Sequence, residues 1–176
     1  MRMPYRTLIA STLILAACVH AQSRTAPLPL DDAAIVGILD SANAWDIGTS
    51  SLVATRAARQ DVKDFGSLLV RDHRSLQDSG RALATKLKLT PRPVPADFPL
   101  KVAHDIAMRT LQSLSGTAFD KAFLENEVVY HKAVIDAVNT TLMPAIKSIE
   151  LKAFVEQAVP TFAAHQTAAE TLLKKP

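Results

Sequence analysis

From position 31 onward, apolar residues return every three or four positions, the spacing of one buried face of an α-helix. β-branched runs bounded by turn residues are few. The first helix is expected from Asp31 or Asp32, either of which can cap it, to about position 57. Its inward stripe is Ile35, Ile38, Ala42, Trp45, Thr49 and Leu52. A second follows from about 61 to 87, with Val62, Phe65, Leu69, Leu76, Leu83 and Leu87 facing inward. The stretch "TPRPVPADFPL" then carries four prolines in eleven residues, which no helix interior accommodates. A shorter helix spans about 100–114 and ends near Gly116. Two long ones follow at about 118–142 and 145–173, turning at Met143-Pro144, and Pro160 should kink the last.

Two helical hairpins with tight turns, joined by some thirty residues carrying a short helix, predict an all-α fold. The topology expected is a ferritin-like four-helix bundle with one long crossover, because an up-down-up-down bundle needs no such connection. This domain occupies 31–174. "VKDF" opens the second helix and "LKAF" the core of the last, each followed by a histidine, a faint echo of duplicated hairpins.

Ahead of the domain the pattern changes. Arg2 and Arg6 precede an apolar run from Leu8 to Ala17, about half the length a membrane span needs, so 1–17 reads as a signal peptide. Two processing sites compete. "LAAC" resembles a lipobox that would lipidate Cys18, the sole cysteine; "VHA" at 19–21 would suit an ordinary signal peptidase. With a single cysteine the chain has no internal disulfide or thiolate cluster. Residues 18–30, with two prolines and no helical period, read as a tether. The expected location is outside the cytoplasm, on the periplasmic side. The expected partner is a membrane surface, the outer membrane, held through a lipid anchor.

Composition changes this picture little. The formal charge of +3 includes Arg2 and Arg6, so the remainder carries one more basic than acidic residue. No basic run or aromatic-studded basic patch exists, so nucleic acid is not an expected partner.

Four stretches, "VKDFGSLLVRDH" at 62–73, "GTAFDKAF" at 116–123, "VVYH" at 128–131 and "VPTFAAH" at 159–165, resemble an exported bacterial family known as domain of unknown function 4142. The resemblance covers 31 to about 173 and implies a ferritin-like fold and no particular activity. The sequence departs from that pattern in having Asp46 where glutamate is usual and Phe65-Gly66 where Phe-Ala is usual.

Each long helix offers one candidate ligand near its middle: Asp46, His73, His131 and His165. At about 1.5 Å per residue, Asp46 lies roughly 22 Å from its helix start, and His73 and His131 roughly 20 Å from theirs at the opposite end. In a bundle about 40 Å long these meet near mid-height; His165, at roughly 28 Å, falls about one turn off. Three imidazoles and a carboxylate suit Zn²⁺, Cu²⁺ or Fe²⁺ without burying excess negative charge. Asp72 and Glu127 are placed to orient rings as outer acceptors. The competing reading makes the same residues a buried polar layer that fixes helix register. The paired Glu-x-x-His motifs of di-iron bundles are absent, since no glutamate precedes a histidine by three.

No phosphate loop, nucleophile elbow or His-Glu-x-x-His motif occurs. Ser67, Ser75 and Ser79 read as solvated helix positions, Trp45 as a core anchor and His104 as exposed. The functional expectation is an exported envelope protein without hydrolytic chemistry that binds a transition metal. The alternative is a structural or protein-interaction module of the envelope.

Overall fold

The computed structural model describes residues 29–175; the expected signal peptide at 1–17, Cys18 and the expected tether up to position 28 lie outside the described residues. The described residues form a helical bundle and contain no strand. In chain order they are α1 (Asp32–Arg56), α2 (Gln60–Lys86), α3 (Pro99–Ser113), α4 (Gly116–Ala137), a π-helical turn (Val138–Leu142), the short α5 (Met143–Ala145) and α6 (Ile149–Leu173). None of these helices is long and apolar enough to cross a membrane.

Helix starts follow local chemistry. Asp31 accepts the Ala34 N–H at 3.0 Å, and Ser148 accepts that of Leu151 at 3.2 Å, each satisfying a first-turn donor. Arg59 gives α2 no side-chain cap. Asp120, distant in sequence, does the equivalent work by accepting the Ala58 and Arg59 N–H groups at 2.9 and 2.8 Å. The α-helical part of α4 ends five residues before the expected position 142. Pro144 has no N–H and its ring crowds the carbonyl four residues back, and the widened π turn at Val138–Leu142 accommodates both. The final helix starts at Ile149, not near 145, because Asp32 holds the Lys147 and Ser148 N–H groups at 2.8 and 2.9 Å. It then runs unbroken through Pro160, which lies on its exposed face.

α1 packs against α2 and α4 against α6; α2 also meets α6 and α1 meets α4. Asp32 places the starts of α1 and α6 at one end. Asp120 places the starts of α2 and α4 at the other, where the Arg59 guanidinium also donates to the Leu172 carbonyl at 3.2 Å. Every neighbouring pair is therefore antiparallel. The crossover returns along the bundle, with Arg92 N–H bonded to the Ala33 carbonyl at 3.1 Å and its side chain paired with Asp31. Gly37 makes this approach feasible, since any Cβ there would overlap the Arg92 carbonyl.

α3 lies across α1 and α4. Trp45, expected in the bundle core, is half-buried beneath it, stacked on His104 at 6.0 Å between ring centres and near Phe98 at 6.4 Å. His104, expected to be exposed, is half-buried for the same reason.

The core is split in two. One apolar cluster includes Val53, Val62, Phe65, Leu69, Phe119 and Phe123. The other includes Ile35, Val36, Val134, Val138, Leu151 and Phe162. Between them each long helix turns polar: Asn43, Asp46 and Ser50 on α1, His73 on α2, Glu127 and His131 on α4, and His165 on α6.

Leu69 is fully buried in the first cluster. Its truncation to alanine should lower unfolding free energy by about 2–5 kcal/mol in urea denaturation. A loss under about 0.5 kcal/mol would be that of a surface position, contrary to the packing described.

Candidate metal centre

The polar layer consists of three imidazoles whose outward nitrogens are held by acceptors. Asn43 donates its amide to the Leu39 carbonyl at 2.8 Å, which turns Oδ1 toward His73 Nδ1 at 2.9 Å. His73 therefore carries its proton on Nδ1 and a lone pair on Nε2. His131 Nδ1 donates to the Glu127 backbone carbonyl at 3.0 Å, leaving Nε2 bare. His165 Nε2 donates to Asp72 Oδ2 at 3.1 Å, leaving Nδ1 bare.

The three bare nitrogens have no proton to share. With each ring's other N–H committed, His131 Nε2 and His165 Nδ1, 3.3 Å apart, face each other as two lone pairs whenever both rings are neutral. Asp46 adds a fourth donor. Its Oδ1 accepts from Ser50 Oγ at 2.9 Å, which fixes the carboxylate with Oδ2 3.3 Å from His73 Nε2 and 3.7 Å from His131 Nε2. Asp46 Oδ2 and His73 Nε2 are buried without a hydrogen bond. A nitrogen from each of His73, His131 and His165 lies within 4.8 Å of the others. In a tetrahedral site with bonds of about 2.0–2.1 Å, adjacent ligand atoms stand about 3.3–3.4 Å apart, the spacing of the closest pairs here. The four residues predicted from sequence thus converge.

All four are at most 3% exposed. Burial disfavours charge on the rings, and the neighbouring His165 adds to this. The pKa of His73 is pushed down to about 3 and that of His131 to about 4, so both are neutral donors at pH 7. Burial pushes Asp46 up against the opposing pull of His131 and the Ser50 bond. Glu127 is driven well above the usual carboxylate range by burial and the neighbouring Asp46. Burial also acts upward on the partly covered Asp72, but hydrogen bonds from His165 and Arg71 outweigh it and hold its carboxyl low. Asp72 is therefore an ionised acceptor for the His165 ring.

Glu127 differs from its expected role. Its backbone carbonyl, not its carboxylate, fixes the His131 tautomer. Sequence reasoning passed over Asn43 and Ser50, which hold His73 and Asp46. The available signal was their position three residues before and four after Asp46, on the same face of α1.

The chain matches the family described as Domain of unknown function (DUF4142) over residues 17–172, and it belongs to that family. No curated protein matches it. Among solved structures it is similar to a DUF305 fragment from Deinococcus radiodurans, at 15% identity with a TM-score of 0.69. The match covers 79% of this chain and 92% of that one. At that identity the likeness shows a shared helical fold.

The low pKa values give a pH dependence with a definite sign. An unfolded histidine titrates near 6.5. Below that pH the unfolded chain takes up a proton that buried His73 refuses until about pH 3. The stability His73 contributes is whole above pH 6.5 and drains as pH falls toward 3. Metal-free wild type should lose stability relative to His73→Gln over that range in urea melts. Parallel curves for the two proteins would show that His73 is not held neutral.

Proposed function

We propose that the domain binds one divalent transition metal ion in the bundle core through His73, His131, His165 and Asp46. The observation that carries this reading is the set of ring tautomers. Three acceptors on three elements of the fold each hold an outward N–H, and a nitrogen of each ring lies within 4.8 Å of the others. In neutral rings held this way, His131 Nε2 and His165 Nδ1 face each other at 3.3 Å without a proton to share, which supports a cation between them over a layer that only fixes register. Three neutral nitrogens and one carboxylate oxygen are donors for Zn²⁺, Cu²⁺ or Fe²⁺. Enclosure by side chains at most 3% exposed favours retention of the ion over turnover at an open position. The same reading takes the bundle as ferritin-like. Supporting it are two antiparallel hairpins joined by a long crossover that carries α3.

The reading extends to location. The charged, apolar and small-residue succession at 1–17, with Cys18 in "LAAC", supports export and lipid anchoring on the periplasmic side of the outer membrane. The tether to position 30 then spaces the bundle from the surface.

Titration calorimetry of tag-free protein with Zn²⁺, Cu²⁺ and Fe²⁺ should give one saturable site tighter than about 10 μM for at least one ion. The ion should raise the melting temperature by mass action. Single His73→Ala, His131→Ala and His165→Ala changes should each weaken it strongly, and a second change should add little because the ligands act together. The alternative, a polar layer that only specifies the bundle, requires no saturable binding and no metal-dependent stabilisation.

Cys18→Ser should move the domain from the membrane fraction to the soluble periplasmic fraction with its helical circular dichroism intact. Wild type found soluble, with Gln22 at its N-terminus, would assign processing at "VHA" and rule out the anchor.

A further inference from the structure

Glu127 has a carboxylate that none of the contacts above employs. It is fully buried between the two apolar clusters. Oε1 accepts a 3.3 Å bond from the Asn126 side chain, while Oε2 has no hydrogen-bond partner. Oε2 stands 3.4 Å from His131 Nδ1, whose proton is already given to the Glu127 backbone carbonyl at 3.0 Å. One oxygen each from Asp46 and Glu127 and a nitrogen of His131 lie within 4.8 Å of one another. A buried carboxyl with an unmatched oxygen is costly to ionise and stays protonated until a cation answers it. No lysine or arginine is among the buried residues of this layer. A divalent ion held by three neutral imidazoles and Asp46 alone keeps one uncompensated positive charge, which a second carboxylate cancels.

Resting on the metal reading, we propose that Glu127 is itself a ligand, so that the ion takes three nitrogens and two carboxylate groups in a five-coordinate, charge-neutral site. This donor set is harder than three imidazoles and one carboxylate and shifts preference toward Fe²⁺ and Mn²⁺ over Cu²⁺ or Zn²⁺. Asp46 is limited to one oxygen, because Ser50 holds the other. Glu127 is the other buried carboxyl group in the cluster with Asp46 and His131.

Co²⁺ added to the metal-free full-length protein is the probe, because its visible bands are several-fold weaker in five-coordinate than in tetrahedral sites. Wild type should give the weaker, five-coordinate spectrum. Glu127→Gln, which keeps the shape and removes the charge, should still bind one Co²⁺ but show intense tetrahedral bands. Its affinity should fall at least about tenfold, the scale seen when groups tuning a metal site are lost. A tetrahedral wild-type spectrum overturns the role of Glu127 and leaves the four-ligand site standing, whether or not the variant folds. Equal spectra and affinities for the two proteins do the same. No Co²⁺ uptake by wild type overturns the metal site and the Glu127 role together.

Discussion

Burying three imidazoles and two carboxylates at the mid-height of a helical bundle is the constraint around which this fold is arranged. Each group loses its hydration and must find a partner inside, and an unmatched one costs about as much as several hydrogen bonds return. No single helix supplies the partners. Asn43 on α1 holds His73 of α2, Asp72 of α2 holds His165 of α6, and Asp46 of α1 faces His131 of α4. A slip of α1 or α2 by one turn, about 5.4 Å, would break two of these links, and a slip of α4 or α6 one. The layer thus fixes register in a way the apolar clusters on either side do not, since leucine and phenylalanine tolerate small shifts.

The bundle ends hold that register from outside. Asp32 ties the start of α6 to the start of α1, and Asp120 ties the start of α4 to the turn into α2. Each is a carboxylate meeting backbone N–H groups near a helix start, where the donors and the dipole both favour negative charge. The crossover adds a third brace, laid against α1 at Gly37 and held by Arg92. Its helix covers the α1–α4 seam, which draws Trp45 and His104 away from the roles their positions in the sequence predict.

Much of the fold was legible because helical spacing and proline breaks are local signals. The hairpins, the crossover and the convergence of Asp46, His73, His131 and His165 all follow from counting residues along helices. The one-turn offset expected for His165 disappears because α6 begins at Ile149. From there His165 lies about 24 Å along, level with the others. That late start depends on a contact with Asp32, more than a hundred residues away, which no local pattern reveals. Whether Glu127 would orient His131 by its carboxylate or its carbonyl was equally hidden, because both belong to one residue at the right spacing. Only the three-dimensional path of the side chain separates them.

Asp46 and Gly66 meet at one place. Asp46 carries a short carboxylate, and its Oδ2 comes within 3.3 Å of His73 Nε2 because α1 stands close to the rings. Gly66 faces α1 just beyond that point. A Cβ there would lie 3.0 Å from both the Ser50 carbonyl and the Ala54 nitrogen, tighter than ordinary contact. The lack of a methyl at Gly66 lets the backbones of α1 and α2 approach, and Ser50, on the same turn, steers Asp46 inward. The short acid and the glycine therefore act together: Gly66 admits the close approach of α1 and α2 that lets Asp46 reach the rings.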